Sequence, residues 1–161
     1  MTSRVNLNYD AIREYAERVG SHHDIYTNEG TANIQALVNK LGGQVTYGDA
    51  AESLVVRKKR DFTIVLPNMT SARRDRFTIA HELGHYFLHY LYEERSNEAA
   101  FGRGERNVVE TQANVFAASL LMPSQQFRRA YGTVGGSSWK LAMLFDVSPA
   151  AAEVRCQVLG L

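Results

Sequence analysis

An α+β fold is what this 161-residue sequence predicts: a small antiparallel sheet of about three strands, packed on a mostly helical body with one long helix. Three observations lead there. Runs rich in β-branched residues crowd into one stretch, as QVTY, LVVR and FTIVL. Helix-spaced apolar residues dominate on either side of that stretch. One such segment, residues 71–92, is longer than the others and holds three of the chain's five histidines.

The first helix is expected over about 9–19, where Ile12, Tyr15, Ala16 and Val19 recur at helix spacing and Gly20 can end it. The polar run SHHDIYTNEG follows, and its His22 and His23 read as surface residues. A second helix, about 31–41, carries Ile34, Leu37, Val38 and Leu41, and Gly42-Gly43 stops it. QVTY makes a short strand. LVVR and FTIVL flank the charged turn KKRD, which signals a hairpin with a solvated basic tip, and Pro67 closes it. Ser71 is a cap for the long helix, whose apolar stripe is Phe77, Ala80, Gly84, Phe87, Leu88 and Leu91. Residues 93–106 are polar with two glycines and read as a loop. A further helix spans about 107–122, and Pro123 breaks it and opens a short helix to 129. GTVGGSS is a turn. Two short helices, near 139–145 and 149–159, close the chain, the second with Ser148 as cap and Pro149 in the first turn. They have a helix-turn-helix look, but only Arg155 and Gln157 could read bases, so they are expected to pack the domain and line a substrate cleft. One domain over 1–161 is expected, with 1–30 as a helical extension.

Composition excludes several classes. Basic and acidic residues nearly cancel, 18 against 17, so no overall charge draws the chain to nucleic acid. The single cysteine, Cys156, rules out an internal disulfide and a cysteine-rich zinc site. MTSRVNLNYD lacks the apolar core of a signal peptide, and no apolar run approaches the roughly 20 residues that span a bilayer. A cytoplasmic protein without membrane contact is expected.

The chemistry concentrates in RFTIAHELGHYFLHY, residues 76–90. A helix advances about 100° and 1.5 Å per residue, so His81 and His85 lie about 40° and 6 Å apart. Both imidazoles can reach one ion at about 2 Å. Glu82 projects from a neighbouring face, close to that ion without binding it. It is the candidate general base for a water whose pKa zinc lowers to about 7. Gly84 costs about 1 kcal/mol of helix propensity, tolerable if its missing side chain lets a strand or substrate come close. His89 continues the series but sits about 12 Å from His81 along a straight helix, too far to share the ion. Nothing in YFLH signals a break, so His89 is assigned a supporting role.

A catalytic zinc usually has three protein ligands and one open position. Glu93 and Glu94 are too far along the same helix, and Glu98 and Glu105 lie in the polar loop. Glu110 begins the next helix, whose Val109, Ala113, Phe116, Ala117 and Leu120 should pack it beside the first. The candidate set is therefore His81, His85 and Glu110. Asn114, one turn after Glu110, could accept the N–H of a ligating imidazole. Zinc or manganese suits two histidines and a carboxylate. Tyr86, Tyr90, Tyr92 and Tyr131 are candidates for a second oxyanion donor.

RFTIAHELGHYFLH followed by ETQANVFAASLLMP resembles the ImmA/IrrE family of metallo-endopeptidases. The family pattern joins HELGH and a later histidine to ExxANxFAAxLLMP, and the second block makes the resemblance specific. It covers most of residues 31–161. It implies a zincin-like domain, with His81, His85 and Glu110 on the metal and Glu82 as base. It further implies a partner: family members cut helix-turn-helix repressors and so release stress or mobile-element genes. With the sequence ending at Leu161, an appended sensor or DNA-binding module is not expected. By analogy with zincins, FTIVL is expected to pair with an extended substrate. The competing expectation is a zincin-fold binding module that holds a repressor or a toxin–antitoxin partner without cutting it.

Overall fold

The computed structural model describes residues 7–102 and 107–161. Among them the order is α1 (Tyr9–His22), α2 (Ile34–Lys40), β1 (Gly43–Tyr47), β2 (Glu52–Lys58), β3 (Asp61–Leu66), α3 (Ala72–Tyr86), β4 (Ala99–Gly102), α4 (Val108–Leu121), α5 (Ser124–Val134), α6 (Ser138–Phe145) and α7 (Pro149–Leu159). The α+β class stands as predicted. No described helix is long and apolar enough to cross a membrane.

The hairpin forms as its sequence requires. β2 and β3 pair antiparallel, with Leu54 opposite Ile64 and Val56 opposite Phe62, and all four side chains are buried. At its tip Arg57 is held by Asp61 at 2.8 Å and Thr63 at 2.9 Å. Two features depart from expectation. The sheet has four strands, in the order β1-β3-β2-β4, and it is mixed rather than antiparallel. β2 occupies one side of β3, so β1, arriving from α2, joins the other side and runs parallel to it. The fourth strand, β4, comes from the segment read as a loop. It pairs antiparallel with β2, Leu54 opposite Phe101, and is too short at 4 residues to show periodicity. β3 therefore has a neighbour on both sides, and FTIVL has no free edge for a substrate; the edge strands are β1 and β4.

Helix boundaries shift for local reasons. α1 continues past Gly20 to His22, because Gly20 is buried against the Tyr26 ring. The Tyr26 hydroxyl donates to Leu120 O at 2.6 Å and ties the segment after α1 to α4. α5 runs on through Val134, taking in part of the expected turn, and ends at the left-handed Gly135. After Tyr86 the long helix widens into a π-turn, Phe87–Leu91, where the Tyr92 amide donates to Phe87 O at 2.9 Å, five residues back.

α3 and α4 pack side by side at the centre, with Phe87 stacked on Phe116 at 5.6 Å and Tyr15 of α1 edge-on to both. Gly84 makes that approach possible. A Cβ there would meet Ala113 Cα and O at 3.0 Å, so the partner is the backbone of α4 rather than a strand or a substrate. Helix backbone cannot yield without moving the whole element. Gly84→Ala should therefore lower stability by about 1–3 kcal/mol despite alanine's better helix propensity. Urea unfolding measures it, and a neutral or stabilised variant would mean that the helices can separate freely. At the C-terminal end Arg155 is buried, with its Nε donating to Met122 O at 3.0 Å. It binds α7 to the end of α4 and is not presented as a base-reading side chain.

Candidate metal centre

Two helix caps set up the site. Ser71 accepts from the Arg74 amide at 3.2 Å and starts α3. Asn107 accepts from the amide of Glu110 itself at 3.0 Å and fixes the first turn of α4. With α3 and α4 in contact at Gly84, the Glu110 carboxylate bridges the two imidazoles. Oε2 lies 2.8 Å from His81 Nε2, and Oε1 lies 3.0 Å from His85 Nε2. One ligand atom from each of the three residues lies within 4.8 Å of the others.

The far side of each ring decides where its proton sits. His81 Nδ1 lies 2.7 Å from Asn114 Oδ1, an acceptor, so Nδ1 carries a hydrogen and Nε2 is the nitrogen turned toward Glu110. His85 reaches the same state through two steps. His89 Nε2 donates to Gln112 Oε1 at 2.9 Å, which leaves His89 Nδ1 to accept from His85 Nδ1 at 2.9 Å. Burial, with His81 and His89 alongside, pushes the His85 imidazole down to about 3, so it is neutral at pH 7. Burial also lowers His89, opposed by its bond to Gln112.

The neutral His85 Nε2 lone pair thus faces a Glu110 carboxylate oxygen at 3.0 Å. The buried His85 Nε2 has no hydrogen-bond partner among the described residues. Acceptors facing acceptors repel, and a divalent cation among the three converts that repulsion into ligation. The donor set, two imidazole nitrogens and a carboxylate, is one that zinc or manganese accepts.

The structure brings His81, His85 and Glu110 together and puts Asn114 and His89 behind the two imidazoles. Glu82 is buried on α3 between the two histidines in sequence. Tyr86 is unsuited to an oxyanion role, since it is buried and its hydroxyl accepts from the Arg60 amide at 3.1 Å. Two contributors escape sequence reasoning. Gln112 lies about 200° around α4 from Glu110, so nothing in the pattern links the two. Phe101 stacks on the His85 ring at 4.9 Å and 16° from the β4 edge. It is the sole aromatic residue of the segment 93–106, a signal that could have marked it.

The orienting chain from Gln112 through His89 has a measurable weight. Gln112→Leu should weaken metal binding about 10–100-fold, the usual cost of losing a partner behind a ligating histidine. A competition titration against a chromophoric chelator reads it. Unchanged affinity would mean that packing against Phe101 alone holds the His85 ring.

In sequence the chain is similar to known metallopeptidases. A family profile described as the IrrE N-terminal-like domain matches residues 29–157. The radiation response metalloprotease IrrE of Deinococcus radiodurans is 34% identical over 94 residues, which is 55% of this chain and 29% of that protein. Its counterpart in Deinococcus deserti is 35% identical over 95 residues, 55% of this chain and 34% of that protein. The metallopeptidase ImmA of Bacillus subtilis is 26% identical over 156 residues, 84% of this chain and 89% of that protein. The chain thus spans about a third of the Deinococcus proteins and most of the Bacillus one. Since the profile takes in the sheet and both helices that build the metal centre, the chain belongs to the ImmA/IrrE peptidase family.

Proposed function

We propose that this chain is a zinc-dependent endopeptidase that makes one or a few cuts in a protein regulator. The observation that carries the proposal is the convergence of His81 Nε2, His85 Nε2 and the Glu110 carboxylate from two helices, with a buried carboxylate, Glu82, adjoining His81 in sequence. His81, His85 and Glu110 would hold the ion. Zinc there supplies a Lewis acid and lowers the pKa of water to about 7. Glu82 takes a proton from the attacking water on its carboxylate and returns it to the nitrogen of the leaving amine. Asn114 and His89 keep the imidazoles turned the right way through the cycle.

The substrate follows from the family resemblance: a helix-turn-helix transcriptional repressor, whose cleavage would release stress or mobile-element genes. Such a substrate implies the cytoplasm as the working compartment. The names of the relatives, a radiation response metalloprotease and a metallopeptidase, support the hydrolytic part of this reading.

The test mixes zinc-loaded protein with a helix-turn-helix repressor encoded beside it and follows the products by mass spectrometry. One or two discrete fragments are expected, and a chelator should stop their formation. A repressor that is bound but never cut would favour the binding-module alternative.

A further inference from the structure

Next to the metal centre lies a cavity that the hydrolytic chemistry does not use. Its volume is about 400 Å³, and Phe77, Val115, Ala118, Met122, Val154 and Val158 are among its walls. Asn114 also lines it, and Asn114 is the residue that holds His81. The cavity and the metal centre therefore share a wall.

Helix periodicity explains the arrangement. Glu110, Asn114, Ala118 and Met122 stand four residues apart and form one ridge along α4 and its cap. Asn114 is about 6 Å and Ala118 about 12 Å along the axis from Glu110. On α3, Phe77 stands one turn before His81. On α7, Val154 and Val158 are also four apart and complete the lining. Both metal-bearing helices thus run from the site into the cavity.

Two observations separate this space from an ordinary gap between helices. Val154 and Val158 are 56% and 44% exposed, apolar side chains facing an opening rather than a neighbour. Both cations of the lining are already engaged: Arg155, which is buried, donates to Met122 O at 3.0 Å and to Ser119 Oγ at 3.5 Å, and Arg13 pairs with Asp10 at 2.9 Å. The volume is in the range of about 300–1,000 Å³ found for ligand sites, which are mostly apolar.

We infer that the cavity is a specificity subsite. It takes one large apolar side chain, of the leucine, methionine or phenylalanine class, from the polypeptide being cut, one or two residues from the scissile bond. The inference deepens the peptidase reading and rests on it. An extended backbone advances about 3.4 Å per residue, so the roughly 6 Å along α4 from Glu110 to Asn114 corresponds to about two residues of substrate. A lysine side chain would lose its hydration there without an acidic partner, and Arg13, the other cation of the lining, is already paired with Asp10.

The experiment uses zinc-loaded Glu82→Gln protein, which should hold a peptide without cutting it. End-blocked hexapeptides differ at one position, carrying Leu, Phe, Ala, Asp or Lys. Methyl resonances of Val115, Ala118, Met122 and Val154 report occupancy of the cavity. The Leu and Phe peptides should shift these methyls and bind at least tenfold more tightly than the others. Two substitutions, Ala118→Phe to fill the space and Val154→Asp at its exposed wall, should erase that preference. They should also redirect the cleavage sites chosen by the otherwise wild-type enzyme. Equal binding of the Ala or Asp peptides, or unmoved methyl signals, overturns the subsite. The peptidase reading fails separately, if wild-type protein cuts nothing while the Leu peptide still occupies the cavity.

Discussion

Zinc at a hundredfold excess over its dissociation constant should raise the melting temperature of the wild-type chain by roughly 5–10 °C, and that of Glu110→Ala by almost nothing. Binding to the folded state alone contributes about 2.7 kcal/mol at that excess. A chain of this size gains about 2–4 °C per kcal/mol. The contrast between the two proteins comes from the geometry. The Glu110 oxygens sit 2.8 and 3.0 Å from the two imidazole nitrogens, close enough to share one ion with them. The Glu110→Ala variant, apart from any change in the fold without zinc, loses one of the three ligands. It then has two ligands left where three are usual, and its affinity falls far below the zinc concentration used. Differential scanning calorimetry with and without zinc separates the two effects. A variant that keeps the wild-type shift would place the third ligand elsewhere, and one that melts early without metal would make Glu110 a structural residue.

The parts of this site that were legible in the sequence are the ones fixed by local geometry. The spacing of His81 and His85 fixes their relation on any α-helix, whatever packs around it. Glu110 was legible because Val109, Ala113, Phe116, Ala117 and Leu120 lay its helix on the core, while the other acids after His85 stand too far along the histidine-bearing helix or in the polar segment. What stayed hidden depends on tertiary choices. β4 owes its existence to the open edge of β2, and its four residues carry no pattern of their own. The parallel pairing of β1 depends on which side of β3 is taken first. The π-turn at Phe87–Leu91 changes a hydrogen-bond register without a proline or glycine to announce it. Gln112 becomes meaningful only when α3 and α4 are in contact, because its partner, His89, belongs to the other helix. That contact in turn needs Gly84. Its motif position suggested space for a strand or a substrate, and the space is filled by Ala113 of α4.

Glu82→Gln should leave the thermal shift with zinc intact and lower the cleavage rate about 10²–10⁴-fold, the usual contribution of a positioned general acid–base group. The substitution suits its surroundings. Glu82 is 3% exposed, and glutamine keeps its size and its hydrogen-bonding reach, so little packing is disturbed. What it loses is the ability to take up a proton at neutral pH and give it back. The two glutamates of the site are thereby separable by experiment. Loss of Glu110 should abolish zinc binding and cleavage together. Loss of the Glu82 carboxylate should abolish cleavage while zinc and repressor still bind. If Glu82→Gln cuts at the wild-type rate, the base is another group. If it loses the thermal shift as well, Glu82 is a ligand and the two-helix site has four protein donors. A wild-type chain that matches Glu82→Gln in every assay, binding repressor and cutting nothing, would leave the metal centre as a scaffold for a binding module.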